Sequence, residues 1–310
     1  VISEDLASDQ NFIRWIYDAA KDREIKRSAN LIVSKEKAYQ FIQENRPKLE
    51  TRPHKYFELK IDRGQETGMI PDTDLNGFFR VTESDADFFL AIYATTEEVG
   101  NQTQKTEDDL MAGELKVRGK TNVTQFIGSA VFKQGVMVGK ITGEETRISS
   151  LLDTTWDTRD ILTTFQDPFD ERYRISARIS QNRKNKYNLI KKSDPPVIEI
   201  NVPLFIDVLS DPSMSNYLKN KEKVKILKKS MTENVEKKMN EYIERTQQEF
   251  KGETFHLSVP IRKEFSTLRE FRDFDWMKSY PDAEIRLKVD IDFGEFGRQT
   301  KLPSLQEVRD

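Results

Sequence analysis

The chain has 310 residues, no cysteine and a formal net charge of -3, with 36% apolar and 33% charged residues. That length suits two or three domains of about 100 to 150 residues. The missing thiols exclude disulfide frameworks and thiolate metal sites, and the near-balanced charge argues against a general nucleic-acid binder. No apolar run reaches the roughly 18 residues that a membrane-spanning helix needs.

In chain order, Phe12, Ile13, Trp15, Ile16 and Ala19 fall at helical spacing within 11–21. Ala29 to Ser34 then reads as a buried strand, and Ala38, Tyr39, Phe41 and Ile42 mark a second amphipathic helix over 35–45. A polar helix is predicted from about Pro53 and a short one from Thr73 to Val81. Phe88 to Ala94 is apolar enough to be a strand covered on both faces. Residues 97–113 are almost wholly polar and predict a solvated loop or an interdomain crossing.

The next stretch, FIGSAVFKQGVMVGKITGEETR from Phe126 to Arg147, carries the densest local signals. Thr124 to Phe132 predicts a strand, Lys133-Gln134-Gly135 a tight turn, and Val136 to Ile141 a β-branched return strand. Thr142 stands three positions before Glu145, the spacing of a reciprocal capping box, so a helix is predicted from Gly143.

Alternation over Tyr173 to Ile179 and over Val197 to Val208 predicts two strands, the second at an edge or bulge because Pro203 lacks an amide proton. Asn182 to Asp194 between them reads as a lysine-rich connection. Asp211 and Pro212 fit a cap and first turn, from which helical signal runs to Phe250. Val224, Leu227, Met231, Val235, Met239, Tyr242, Ile243 and Phe250 form one narrow stripe, which requires a sheet or helix beneath it. Ile285 to Phe293 is the cleanest period-two run in the chain.

No motif supplies obvious chemistry. Gly119-Lys120-Thr121 lacks the glycine five positions earlier that a phosphate loop requires, since Glu114 stands there. Gly294 to Gly297 reads as a strand end that turns rather than a nucleic-acid clamp. His54 and His256 have no metal-ligand spacing around them, and His256, between Phe255 and Leu257, reads as a satisfied half-buried residue of a strand. No cofactor or metal is expected. One surface feature stands out: Lys219, Lys221, Lys223, Lys225, Lys228 and Lys229 crowd the early long helix with Glu222 the sole acid in that span. The simple reading is a solvated face; the sharper one is contact with anionic lipid headgroups or an acidic partner.

Three stretches together resemble the C-subunit family of bacterial spore nutrient germinant receptors. The hairpin does so through Gly128, Ala130, Phe132, Lys133, Val138, Gly139, Glu145, Thr146 and Arg147. Asp22 to Gln43 resembles the family's early strand and helix, although Ser34-Lys35 replaces its usual glycine. Trp276, Tyr280, Pro281 and the strand Ala283 to Phe293 resemble its closing element. Within this likeness Gly128, Ala130, Phe132, Lys133, Gly139, Glu145, Trp276 and Pro281 are expected to be mainly structural.

The expected fold is α+β and multi-domain, with mixed or antiparallel sheets each covered by helices and the long helix on the C-terminal sheet. Residues 1–114, 115–170 and 171–310 are the expected domains. The resemblance implies a non-enzymatic subunit that works with two integral membrane receptor subunits and binds no nucleic acid. It also implies a lipidated cysteine upstream of Val1 that holds the natural protein on the outer face of the inner spore membrane. The alternative reading is an extracytoplasmic module that binds or hydrolyses cell-wall or cortex carbohydrate, which would need an aromatic cleft with paired carboxylates.

Overall fold

The computed structural model describes residues 1–22, 24–47, 52–84, 87–100, 108–119, 121–153, 155, 161–192, 194–213, 217 and 220–296. Lys120, Lys219 and Gly297, singled out in the sequence, lie outside them.

Strands β1 (Ile2–Ser3), β2 (Ile32–Ser34), β3 (Phe89–Thr95), β4 (Gln125–Lys133) and β5 (Val136–Ile141) form the first sheet in that order. The first three are parallel, and β3, β4 and β5 pair antiparallel. Parallel neighbours need a crossover. Here the crossovers are α1 (Glu4–Ala7) and α2 (Phe12–Ala19) before β2, then α3 (Ala38–Glu44), α4 (Pro53–Glu66) and α5 (Leu75–Ser84) before β3.

All seven residues of β3 are buried, as its apolar run predicts. Phe89, Ala91 and Tyr93 pack with Phe12 of α2 and Phe78 of α5, whereas Ile92 and Ala94 on the other face pack with Phe41 of α3 and Ile61 of α4. Of the polar stretch 97–113, residues 101–107 lie outside the described residues, and 108–113 depart from the solvated loop expected of them. Asp109, Ala112 and Glu114 are buried, and the Gly113 amide donates to the Gln125 side chain at 2.9 Å.

The hairpin forms where the sequence places it, with Lys133 opposite Val136 and Gln134 and Gly135 both at positive φ, as a two-residue turn requires. The Glu145 amide donates to Thr142 Oγ1 at 3.2 Å and the Thr142 amide to Glu145 Oε2 at 2.9 Å, which starts α6 (Gly143–Leu152). Replacing Thr142 with alanine removes one of these bonds and should cost about 1 kcal/mol. A urea midpoint indistinguishable from wild type would show that the box adds nothing.

The second sheet contains β6 (Ile161–Gln166), β7 (Arg174–Ser180), β8 (Lys186–Lys191), β9 (Val197–Ser210) and β10 (Glu284–Phe296). Its order is β10, β9, β7, β6, with β8 also on β9. The lysine-rich connection thus contains a strand, whose Tyr187 and Leu189 alone turn toward the core while Lys186, Asn188 and the following Ile190 and Lys191 face away. Strand β9 is interior rather than at an edge. It pairs parallel with β10 along its length, and its other side meets β8 at 197–201 and β7 at 205–210. Pro203 falls in the gap between those two partners, where a missing amide donor costs no ladder bond on that side.

The parallel crossover from β9 to β10 carries α7 (Lys221–Arg245), a single π turn (Thr246–Phe250), α8 (Ser258–Arg262), α9 (Leu268–Phe274) and α10 (Trp276–Ser279). Helix α7 begins after Asn220, whose side chain accepts from the Glu222 and Lys223 amides, and not at Asp211-Pro212, which form a turn. Its stripe Leu227, Met231, Val235, Met239, Tyr242 and Ile243 is buried against the second sheet.

Among its described residues the stretch 115–170 has no sheet to itself. Its hairpin completes the first sheet, its last strand β6 belongs to the second, and α6 connects them.

Candidate functional site

Helix α6 is short and rich in hydroxyls, yet Thr146 through Leu152 are all buried. Ile148, Leu151 and Leu152 enter the core of the second sheet, which also takes in Phe88, Leu90, Val131 and Ile141 from the first. Thr146 Oγ1 lies 2.8 Å from Ser129 Oγ of β4. Ser149 Oγ lies 2.9 Å from Thr254 Oγ1, itself 2.5 Å from the Tyr242 hydroxyl of α7. One helix is therefore hydrogen-bonded to both halves of the chain, and both halves share one apolar core.

The segment 253–258, which follows the π turn, closes this junction. The Phe88 amide donates to the Glu253 carbonyl at 2.9 Å, and Ser258 Oγ donates to Asp87 Oδ2 at 2.6 Å. The Glu253 carboxyl accepts from the Phe255 amide at 2.7 Å and from Trp276 Nε1 at 3.4 Å. Burial, then the adjacent Asp87 charge and hydrogen bond, push the Glu253 carboxyl well above its ordinary value.

His256 lies in a turn with φ 53°, not in a strand, and its Nδ1 is 2.6 Å from Asp153 Oδ2 at the C-terminal end of α6. Burial works against its charged form, but the Asp153 bond and charge, with Asp87 behind, outweigh burial and raise its pKa. His256 Nε2 is buried and meets no partner among the described residues. A Ser-His-Asp arrangement would need a hydroxyl on that nitrogen. Among the described residues no three His, Asp or Glu side chains group as metal ligands do.

Two openings flank the junction. A groove of about 670 Å³ between α6 and α7 is lined by charges that pair within the chain, Lys238 with Glu144 and Arg245 with both Glu145 and Glu249. A cavity of about 540 Å³ lies beside His256, walled by Ser28, Asn30, Asp72, Asp74 and Arg80.

The hairpin residues picked from the sequence converge on packing. Ala130 and Phe132 are fully buried, Phe132 against the rings of Phe12 and Phe78, and the Lys133 amine sits 5.4 Å over the Phe88 ring. Gly139 lies under the Phe250 ring, and Glu145 caps α6 while pairing with Arg245. Trp276 is buried beside Glu253, and Pro281 sits in the turn whose Tyr280 hydroxyl is 2.6 Å from Thr246 Oγ1.

The lysine run is not a uniform positive face. Lys225 pairs with Glu222 at 2.8 Å, Lys229 with Glu233 at 3.7 Å, Lys228 with Asp290 at 3.8 Å, and Lys223 sits 5.0 Å over the Phe169 ring. Lys221 is exposed at the first turn. Asp87, Asp153 and Glu253 were not singled out by sequence, because a carboxylate among 53 acidic residues carries no mark of burial.

Residues 127–297 match the family model described as spore germination B3/GerAC like, C-terminal, and residues 1–95 match that of the spore germination protein N-terminal domain. The chain belongs to the GerAC-like spore germination family. The resemblance to germinant-receptor C subunits carried by the hairpin is thereby borne out. No curated protein matches the chain. Among solved structures it is similar to the crystal structure of the GerBC protein, with a TM-score of 0.66 at 15% identity, over 94% of this chain and 77% of that one. At that identity the likeness is one of fold. This GerAC-like chain has the expected α+β architecture, with two mixed sheets under helices. Among its described residues no helix is long and apolar enough to cross a membrane.

Proposed function

We propose that this germinant-receptor C subunit acts without catalysis, by assembling with the receptor's two integral membrane subunits and passing a nutrient signal on to germination. A lipidated cysteine upstream of Val1 would hold the natural protein at the outer face of the inner spore membrane. The observation that carries the reading is α6, buried and hydrogen-bonded to both sheets, within a chain whose two parts both match the spore germination family. A body with a shared core moves as a unit, so a load on one sheet reaches the other without an intervening hinge at α6. The paired charges along the α6–α7 groove and the closed junction likewise favour work through outer surfaces over turnover of a substrate.

The test is made in spores. Affinity capture of the tagged full-length protein after crosslinking should bring down two multi-span proteins, and deletion of its gene should abolish the response to the cognate nutrient. Normal germination of the deletion strain, or capture of no multi-span protein, would refute the proposal. Replacing the upstream cysteine should release the protein from the membrane fraction; retention would remove the anchor from the reading.

A further inference from the structure

Segment 253–258 is held in the junction by buried acids on a strained backbone. It follows the π turn, and Lys251 and His256 both take positive φ, 54° and 53°, a region that side chains other than glycine rarely occupy. Ser258 touches two carboxylates at once, its hydroxyl donating to Asp87 Oδ2 at 2.6 Å and its amide to Glu253 Oε1 at 3.3 Å. Asp87, Asp153 and Glu253 are 6%, 2% and 1% exposed. Asp87 Oδ1 and His256 Nε2 are also buried, and neither has a hydrogen-bond partner among the described residues. Strain and two unmatched polar atoms in one place describe a contact held with little margin.

Two protons set the balance of charge there. If Glu253 loses its proton, a second buried negative charge stands beside Asp87. If His256 loses its own, the Asp153 carboxylate 2.6 Å away keeps a buried charge without the cation bonded to it. The surrounding elements do not offset either loss among the described residues. Arg80 of α5 acts on His256 by opposing its protonation. Tyr187 of β8, Tyr242 of α7 and Tyr280 stay neutral, because burial pushes each hydroxyl up, and Trp276 of α10 gives Glu253 one neutral donor at 3.4 Å.

We propose that segment 253–258 is a proton-operated latch, closed while Glu253 and His256 are protonated and released from Asp87, Phe88 and Asp153 as pH rises, with both sheets still folded. Opening breaks the bond from the Phe88 amide to the Glu253 carbonyl and the bond between Ser149 and Thr254. Thr146 remains bonded to Ser129 of β4, so α6 stays joined to the first sheet. The latch does not rest on the assembly role, because it is a property of the isolated chain.

Hydrogen–deuterium exchange on the 310-residue chain tests it, from about pH 6 to about pH 9, with labelling times scaled to the intrinsic exchange rate. Protection of 253–258 and of the Phe88 amide should fall about tenfold per pH unit once one of the protons is lost, while β9 keeps its protection. Glu253→Gln keeps the shape and cannot ionise, and Asp87→Asn removes the neighbouring charge, so each should hold the segment at least tenfold better protected than wild type at the alkaline end. His256→Asn, which suits a positive φ, should already lose protection at about pH 6. The proposal is overturned if protection of 253–258 does not change with pH, if it falls only together with that of β9, or if it falls as steeply in both acid variants as in wild type.

Discussion

Replacing Gly128 with alanine is expected to destabilise the protein by about 3 kcal/mol or more, one of the largest effects available to a single added methyl. Gly128 has φ +83°, and a Cβ built there stands 2.5 Å from the Ile141 carbonyl oxygen and 3.0 Å from Met111 Sδ. The methionine can turn aside. The carbonyl cannot, because Ile141 is paired with Ser129 across the hairpin and leads directly into the capped start of α6. Displacing it would therefore disturb the element that joins the two sheets.

Gly100 supplies the control, since it has φ +79° with nothing within 4 Å of an added Cβ. Gly100→Ala meets only the left-handed backbone penalty, about 1 to 2 kcal/mol. The difference between the two variants in chemical denaturation isolates the close approach at Gly128. Equal losses would show that the strand contact is not tight in solution.

The second large effect is a dependence of stability on pH that runs through the buried acids. The folded state holds the Glu253 proton above the ordinary carboxyl value of 4.5, through burial and the adjacent Asp87. A group whose folded pKa is raised contributes stability that is complete below its unfolded value and is lost as pH climbs through the folded one. His256 acts in the same direction above its ordinary value of 6.5, since Asp153 and Asp87 outweigh burial in holding its proton. Stability should therefore fall on the alkaline side, by about 1.4 kcal/mol per pH unit for each proton that only the folded state retains.

Glu253→Gln keeps the shape and has no proton to lose. It should flatten the alkaline limb by one proton's slope while leaving the His256 contribution in place. Urea unfolding of both proteins at pH steps from 5 to 9 (roughly the span in which such buried groups titrate) measures this. Parallel curves would mean that Glu253 is ionised in the folded protein.

The local elements were readable because their causes lie within a few residues. Thr142 and Glu145 cap α6 across one turn, Gln134-Gly135 closes the hairpin, and Ile285 to Phe293 alternates along a strand that one face of α7 covers. The misreadings have the opposite character. Residues 182–194 look like a connection because β8 offers only Tyr187 and Leu189 to the core, and its place is set by pairing with β9. Pro203 suggested an edge, yet β9 is interior because its partners change on one side where the proline falls. Residues 108–114 are too polar to predict burial, and only the Gln125 side chain and the Ile127 carbonyl across the sheet satisfy the Gly113 and Ala112 amides.

The candidate site was the least legible part. Phe88 and Glu253 are bonded across 165 positions, Ser149 and Thr254 across 105, and Asp153 and His256 across 103. No spacing rule reaches so far. From sequence alone came the helices and strands, the caps and turns, the absence of thiol chemistry and the germination family, because each depends on periodicity or on neighbouring side chains. Only the tertiary structure decided that the hairpin belongs to the first sheet, that α6 joins it to the second, and that Asp87, Glu253, Asp153 and His256 meet. Those outcomes depend on which distant segments exclude water together, and burial of that kind is a property of the assembled core.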